Sequence, residues 1–367
     1  MADAVSQAEG WRERWVRARN RIVGSPGFQR WAGRFPLTRP IARVRSRRLF
    51  DLVAGFVWSQ WLLAAVESGA LKALSRGPAG QAEIARQAGL SEAMAARMLH
   101  ALAGLGLAEQ VAPGRWTLGT AGAELLGAPG VVEMIRHHAA LYRDLADPLA
   151  LMRGERAVGM RGFWDYSTDN SAAAGAYSAL MAASQPMVAD QLLAAIDVRR
   201  WGSVLDVGGG EGAFLARLAR AAPALRLGLF DLPAVTERAR VRAERQGFAD
   251  RLTLFPGSFI HNELPRGFQV ITLVRVLHDH DDPVVADLLA RCRRALDPGG
   301  RLVILEPMSR PGGTANPYFG LYLLAMGRGR PRSPAEYAAM LTVAGFGRSR
   351  CLPSDLDTAG LVVADAQ

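Results

Sequence analysis

The chain has 367 residues, half of them apolar, and a net charge of +10. That length suits two domains with ample core, and the apolar half argues against a disordered chain. The two cysteines, Cys292 and Cys351, exclude a disulfide framework and fit a reducing compartment such as the cytoplasm.

The first fifty residues set twelve arginines against Asp3, Glu9 and Glu13, so nearly all the excess charge is N-terminal. No apolar core or small-residue cleavage site follows the basic start, and no secretory signal is expected. Over residues 11–50, Trp11, Trp15, Phe28, Trp31 and Phe35 interleave with the arginines. This suits an interfacial segment meeting anionic lipid, with peripheral contact to an inner membrane, or equally an arm packed on a dimer partner. Pro26, Pro36 and Pro40 are expected to break the arm into short pieces, leaving no single long amphipathic helix. Leu52 to Val66, bounded by Asp51 and Glu67, falls short of the ~20 residues a membrane span needs and reads as a buried helix.

Helical spacing runs from Leu49 to Ser75 and is closed by Gly77, Pro78 and Gly80. Residues 81–122 then read as helix, Gly-Leu-Ser turn, helix and a hairpin around Pro113 and Gly114, a winged helix-turn-helix pattern. Base readout would need basic or amide side chains at the start of the second helix. That start is Ser91-Glu92-Ala93-Met94-Ala95-Ala96, with only Arg97 basic, so no nucleic-acid partner is expected.

Residues 131–196 read as wholly helical, with Met134, Met152, Met160, Met181 and Met187 among Tyr142, Phe163, Trp164 and Tyr177. Methionine adapts to irregular apolar shapes, which suits a pocket for a large apolar ligand; ordinary core is the alternative. Gly154 to Gly162 reads as a flexible joint.

From Ser203 onward strands alternate with helices: strands 203–207, 225–230, 252–255, 269–274 and 301–305, helices 211–221, 233–246 and 283–296. Such alternation argues for a parallel sheet with right-handed crossovers. Ser333-Pro334-Ala335-Glu336 is a capping box that opens a helix to about Ala344, and strands near 348–352 and 359–364 finish the sheet.

The stretch LDVGGGEG, Leu205 to Gly212, ends a strand and opens a helix, so its backbone can pass close to a ligand. Asp206, Gly208, Gly210 and Gly212 are candidate contacts. Asp231, with Leu232 beside it, ends the next strand, where a carboxylate can accept both hydroxyls of a ribose. The turn lacks the GxGxxG spacing, and the chain has no second phosphate turn and no P-loop lysine. A nucleoside without pyrophosphate therefore fits best, and S-adenosyl-L-methionine fits. The fourth strand runs into LVRVLHDHDD, Leu273 to Asp282, where His278 is the candidate general base. Glu306 ends the following strand and could hold the imidazole tautomer through its other nitrogen. The His278 to Asp282 cluster could instead ligate a metal, but Asp282-Pro283 opens a helix where acids are expected anyway, and no metal is assigned.

With LDVGGGEG, LFDLP, the Gly257-Ser258-Phe259 turn, VRVLHDHDD, ILEP and RPRSPAEY in this order, the chain resembles the class II small-molecule O-methyltransferases of the caffeate and acetylserotonin type. The resemblance covers roughly residues 49–350 and implies an α/β fold. It would pair a Rossmann-like methyltransferase domain, with a mostly parallel seven-stranded sheet, with an N-terminal, mainly helical winged-helix dimerisation domain. Its implied boundaries are an arm at 1–48, dimerisation at 49–130, pocket helices at 131–200 and cofactor binding at 201–367. It implies S-adenosylmethionine on Gly208 and Asp231, adenine flanked by Ser258 and Phe259, a contact from Arg275, His278 as proton acceptor, and a homodimer. Two positions depart from the family. Ser258 stands where an Asp usually accepts from the adenine amino group. Pro331 stands where plant enzymes place a second glutamate, leaving Glu306 as sole orienting carboxylate.

Within the family, FPLTRPIARVRSRRLFDLVAGFVWSQ, HHAALYRDLADPLALMRGE, YSALMAASQP and YFGLYLLAMGRGRPRSPAE look most like the hydroxycarotenoid O-methyltransferases of purple phototrophic bacteria. The implied acceptor is a long polyene with a tertiary hydroxyl, and the candidate pocket residues are Met181, Tyr318, Phe319, Tyr322 and Met326. The rival readings are a C-methyltransferase acting on a bacteriochlorophyll precursor and a winged-helix regulator that senses S-adenosylmethionine.

Overall fold

The structure is a computed structural model that describes residues 2–155, 171–313, 315–354 and 359–366. Met160, Gly162, Phe163 and Trp164 lie outside the described residues, as does the Tyr177 side chain. The chain forms two compact units, residues 1–119 and 120–367.

The first unit opens with α1 (Ala2–Val23), α2 (Pro26–Arg34) and α3 (Arg39–Glu67). The expected short pieces are therefore not what forms: α3 alone has 29 residues. Pro26 and Pro40 sit in the first turns of α2 and α3, where the missing N–H has no helical partner to lose, and Pro36 falls in the turn between. Ser25 caps α2 by accepting the Phe28 N–H. Nor is α3 buried as expected: Leu52 is 76% and Phe56 71% exposed. The charged stem from Arg39 continues into the apolar stretch as one helix. By length and composition α3 is, among the described residues, the one helix able to cross a membrane.

Gly69, at φ 72°, ends this run before α4 (Ala70–Leu74). A small antiparallel sheet of β1 (Ala79–Gly80), β2 (Ala108–Ala112) and β3 (Arg115–Leu118), in the order β1-β3-β2, joins α5 (Gln81–Ala88) and α6 (Glu92–Gly104) in the expected winged-helix arrangement. Ser91 caps α6 through the Met94 N–H, and Trp116 of the wing packs edge-on against His100.

The second unit begins with α7 (Thr120–Gly127), α8 (Pro129–Asp144), α9 (Pro148–Met152) and α10 (Ser171–Ala195). The α/β part follows as β4 (Ser203–Val207), α11 (Ala213–Ala221), β5 (Arg226–Asp231), α12 (Pro233–Gln246), β6 (Leu252–Pro256), β7 (Phe268–Val274), α13 (Asp282–Ala295), β8 (Leu296–Glu306), α14 (Ala315–Met326), α15 (Pro334–Val343), β9 (Phe346–Leu352) and β10 (Gly360–Ala366). The sheet order is β6-β5-β4-β7-β8-β10-β9. The first five strands are parallel, while β10 pairs antiparallel with both neighbours. Every residue of β4 is buried, as a central parallel strand covered on both faces requires. The chain leaves β4 toward β5 on one side and reaches β7 on the other, so a crevice opens at the carboxyl ends of these strands. The helix α14 has no counterpart in the alternation read from Ser203 onward, because ANPYFGLYLLAM is apolar on nearly every face and shows no 3.6-residue period.

Candidate active site

At the end of β4, Gly208 and Gly210 take φ values of 69° and 58°, a conformation that costs other residues dearly. A Cβ at Gly208 would stand 2.7 Å from Cγ2 of Val276. Asp231, at the end of β5, braces this turn: Oδ2 accepts the Gly210 N–H at 2.8 Å and Oδ1 the Leu232 N–H at 2.7 Å. Burial raises its pKa, against the pull of those two amides.

A cavity of about 440 Å³ opens here, within the range of small-molecule sites. Gly208, Gly210, Asp231 and Leu232 line one side, Ser258 and Phe259 another, and Arg275, Asp279 and Met181 a third. The Ser258 hydroxyl accepts the Ile260 N–H, and its own amide donates to Asn262 Oδ1 at 2.9 Å. Arg275 has φ 58°, the one left-handed residue other than glycine among the described residues. Its Nη1 donates to Ser184 Oγ at 2.6 Å, and Nη2 lies 3.1 Å from Met181 Sδ.

Asp206 and Gly212 do not line the cavity. Gly212 caps α11 beneath the turn, beside Leu229 and Ala239. Asp206 is buried under Gly209, with Oδ1 accepting the Thr272 hydroxyl at 2.7 Å and Oδ2 without a partner. Burial, aided by the nearby Asp231 charge and opposed by the Thr272 hydroxyl, lifts its pKa to about 7.

His278 lies buried in a short 3-10 turn, Leu277–Asp279, just past β7. Its Nδ1 is 2.6 Å from Glu306 Oε2, at the end of β8. The other oxygen, Oε1, accepts the N–H groups of Val276 and Leu277, each at 2.7 Å. Glu306 thus fixes both the ring and the backbone that carries it. It is not the sole carboxylate beside the ring, because Asp279 Oδ1 stands 3.2 Å from Nε2. The 3-10 turn folds the next residue in the chain back toward the imidazole. Burial alone would lower the His278 pKa, but the Asp279 and Glu306 charges outweigh it and the net shift is upward. Burial pushes Asp279 up to about 6, against the attraction of His278.

Phe319 of α14 meets the imidazole edge-on at 5.7 Å. Tyr318 and Tyr322 stack at 6.0 Å, and Phe319, Tyr322 and Met326 pack with Leu141 and Leu151 in one apolar cluster. Two histidines of α8 join them: His138 Nε2 is 2.5 Å from the Tyr318 hydroxyl and His137 Nε2 2.8 Å from that of Tyr322. Burial lowers both imidazoles, His137 to about 4 with help from His138, and pushes Tyr318 up to about 12. Both imidazoles and the Tyr318 phenol are therefore neutral at pH 7. The paired histidines stand out in the sequence but carry no pattern that names a partner. Among the described residues no group of three or more His, Cys, Asp or Glu is arranged for a metal; Asp282 turns to Arg330 and Arg332.

Residues 142–347 match the O-methyltransferase domain, and residues 50–127 the O-methyltransferase dimerisation domain. The chain is 42% identical over 342 residues to the demethylspheroidene O-methyltransferase of Cereibacter sphaeroides, covering 91% of this chain and 90% of that one. With the demethylspheroidene O-methyltransferase of Rhodobacter capsulatus it shares 44% over 321 residues, 85% and 80% of the two chains. Among solved structures, the mitomycin 7-O-methyltransferase superposes with a TM-score of 0.76 at 27% identity, over 90% of this chain and 100% of that one. The human N-acetylserotonin methyltransferase in complex with S-adenosylmethionine gives a TM-score of 0.76 over 88% and 97%, a likeness of fold at 23% identity.

Proposed function

The chain belongs to the S-adenosylmethionine-dependent O-methyltransferases, and on that footing we propose that it methylates the tertiary 1-hydroxyl of an acyclic hydroxycarotenoid, with His278 as proton acceptor. The demethylspheroidene enzymes at 42% and 44% identity support the acceptor. So does the apolar cluster of Phe319, Tyr322 and Met326 beside the base.

The cavity suits the cofactor. Gly208 and Gly210 permit close backbone approach, and each Asp231 oxygen keeps a lone pair for a ribose hydroxyl after serving one amide. When bound, S-adenosylmethionine supplies an electrophilic methyl on sulfonium sulfur, open to in-line attack by an alcohol oxygen.

The observation that carries the mechanism is the 2.6 Å contact of His278 Nδ1 with Glu306. A proton held at Nδ1 by Glu306 leaves Nε2 with its lone pair, and Nε2 is the atom that accepts the hydroxyl proton. An alkyl hydroxyl is too weak an acid to ionise beforehand, so His278 takes the proton as the new bond forms. Glu306, and Asp279 3.2 Å from Nε2, then stabilise the imidazolium. Alignment of the acceptor against the cofactor contributes on the order of 7 to 11 kcal/mol. The test is incubation with labelled S-adenosylmethionine and a panel of hydroxycarotenoids beside a phenolic control. A methyl ether on the carotenoid is expected; a carbon-bound methyl, or preference for the phenol, would overturn the assignment.

The dimerisation domain at residues 50–127 supports a homodimer. The arm ahead of it is read as a peripheral contact with anionic lipid. Trp11 is 64%, Trp15 52% and Trp31 51% exposed, in a segment that holds twelve arginines. Removing residues 1–48 should abolish flotation with anionic liposomes; retained flotation would end this reading.

A further inference from the structure

Arg332 is fully buried and lies outside the cavity lining. Its Nη1 donates to the Leu277 carbonyl and its Nη2 to the His280 carbonyl, both at 2.7 Å. These carbonyls bracket His278 and Asp279 in the chain. Nε and Nη2 also donate to Asp282 Oδ1, at 2.9 and 2.7 Å. A cation taken from water is tolerated only with such pairing. The rigid guanidinium fork reaches two carbonyls and a carboxylate at once, which a lysine ammonium does poorly.

The backbone of Arg332 is anchored as well. Ser309 N–H donates to its carbonyl at 3.0 Å, and Met308 forms a parallel bridge with it. Met308 and Ser309 directly follow Glu306 and Pro307. One residue therefore ties the turn carrying His278 to the segment that continues from Glu306.

We propose that Arg332 is a positioning residue that holds the 277–280 turn at the depth where His278 Nδ1 meets Glu306. The proposal rests on the reading of His278 as the base. Loss of the guanidinium takes this donor from the His280 carbonyl and leaves the Leu277 carbonyl with only the His280 N–H at 3.3 Å, and the turn relaxes away from Glu306.

The test compares Arg332→Gln, Arg332→Lys and Asp282→Asn in the full chain. Three quantities are measured: S-adenosylmethionine affinity, kcat, and the downfield proton resonance of the His278–Glu306 hydrogen bond, assigned by its absence in His278→Ala. Arg332→Gln should lose the resonance and about 10²-fold in kcat, as loss of a general base does, at unchanged cofactor affinity. Arg332→Lys should recover part of both. Asp282→Asn, at an exposed position, should weaken both less. A folded Arg332→Gln that keeps the resonance and kcat overturns the proposal, and so does a loss of kcat matched by an equal loss of cofactor affinity. Should Arg332→Gln fail to fold, an unaltered resonance in both other variants overturns it too. The resonance needs no acceptor: full turnover by His278→Ala would end the base assignment while the resonance still reports on Arg332.

Discussion

A side chain at Gly329 would set its Cβ 2.1 Å from the carbonyl oxygen of His278. The next atoms it would meet are also backbone, C and Cα of Asp279 at 2.7 and 3.0 Å, and Gly329 itself has φ 79°. Nothing there can swing aside, so one of the two backbones must move, and the turn that carries the base is one of them. Gly329→Ala is expected to cost on the order of 1–3 kcal/mol of stability. It should also lower kcat while cofactor affinity stays. Thermal melts and steady-state kinetics check this, and an unchanged kcat would mean that the turn tolerates displacement.

Asp231 gives one oxygen to the Gly210 amide and the other to the Leu232 amide. Alanine there leaves both donors unpaired, at about 1–3 kcal/mol for a buried group. The ribose hydroxyls lose their carboxylate acceptor too, a charged hydrogen bond worth about 1.5–3 kcal/mol, so Asp231→Ala should weaken S-adenosylmethionine binding by about 10- to 100-fold. Asp231→Asn, whose amide oxygen can still serve one donor, should fall between. Titration calorimetry decides, and wild-type affinity in the alanine variant would place the ribose elsewhere.

The upward shift of His278 fixes a pH dependence. A base must be neutral to accept a proton, so turnover should climb with pH through a midpoint above 6.5. Glu306→Gln removes one of the two carboxylate charges that raise the imidazole, so it should move the midpoint down while lowering kcat. The kcat–pH profiles of the two enzymes show it; a midpoint that moves up contradicts the electrostatic assignment.

Asp206 ties stability to pH. Its folded pKa is lifted to about 7 from an ordinary 3.8, so between those values the folded chain keeps a proton that the unfolded chain has lost. Stability attributable to this group is full below the lower value and declines as pH rises, by at most about 1.4 kcal/mol per pH unit. Asp206→Asn cannot titrate. Its melting temperature minus that of the parent should grow from pH 4 to pH 7.5, and parallel curves would refute the shift.

The cofactor turn is legible in the sequence because its logic is local: β4 ends in glycines and β5 ends in Asp231. The level shared by His278 and Glu306 is legible too, since parallel strands bring their carboxyl ends together. Asp279 is adjacent to His278 in the chain, yet its place beside Nε2 depends on a 3-10 turn that no periodicity announces. Arg332 binds Leu277 across 55 positions, and His138 meets Tyr318 across 180. Such pairings come from tertiary packing of single polar residues, which leaves no pattern in the chain. The prolines of the arm mislead for a different reason. Pro is a breaker inside a helix and a favoured first residue of one, and the composition is the same in both cases.

The bare length of α3 has a consequence in mass action. Leu49, Phe50, Leu52, Val53 and Phe56 lie exposed along it, and the dimerisation domain begins at residue 50. Where association of two copies covers that surface, it stabilises the folded chain and not the unfolded one, so stability depends on how many copies share the solution. Dilution then acts on this enzyme as heat does, and a melting temperature describes it only at a stated concentration.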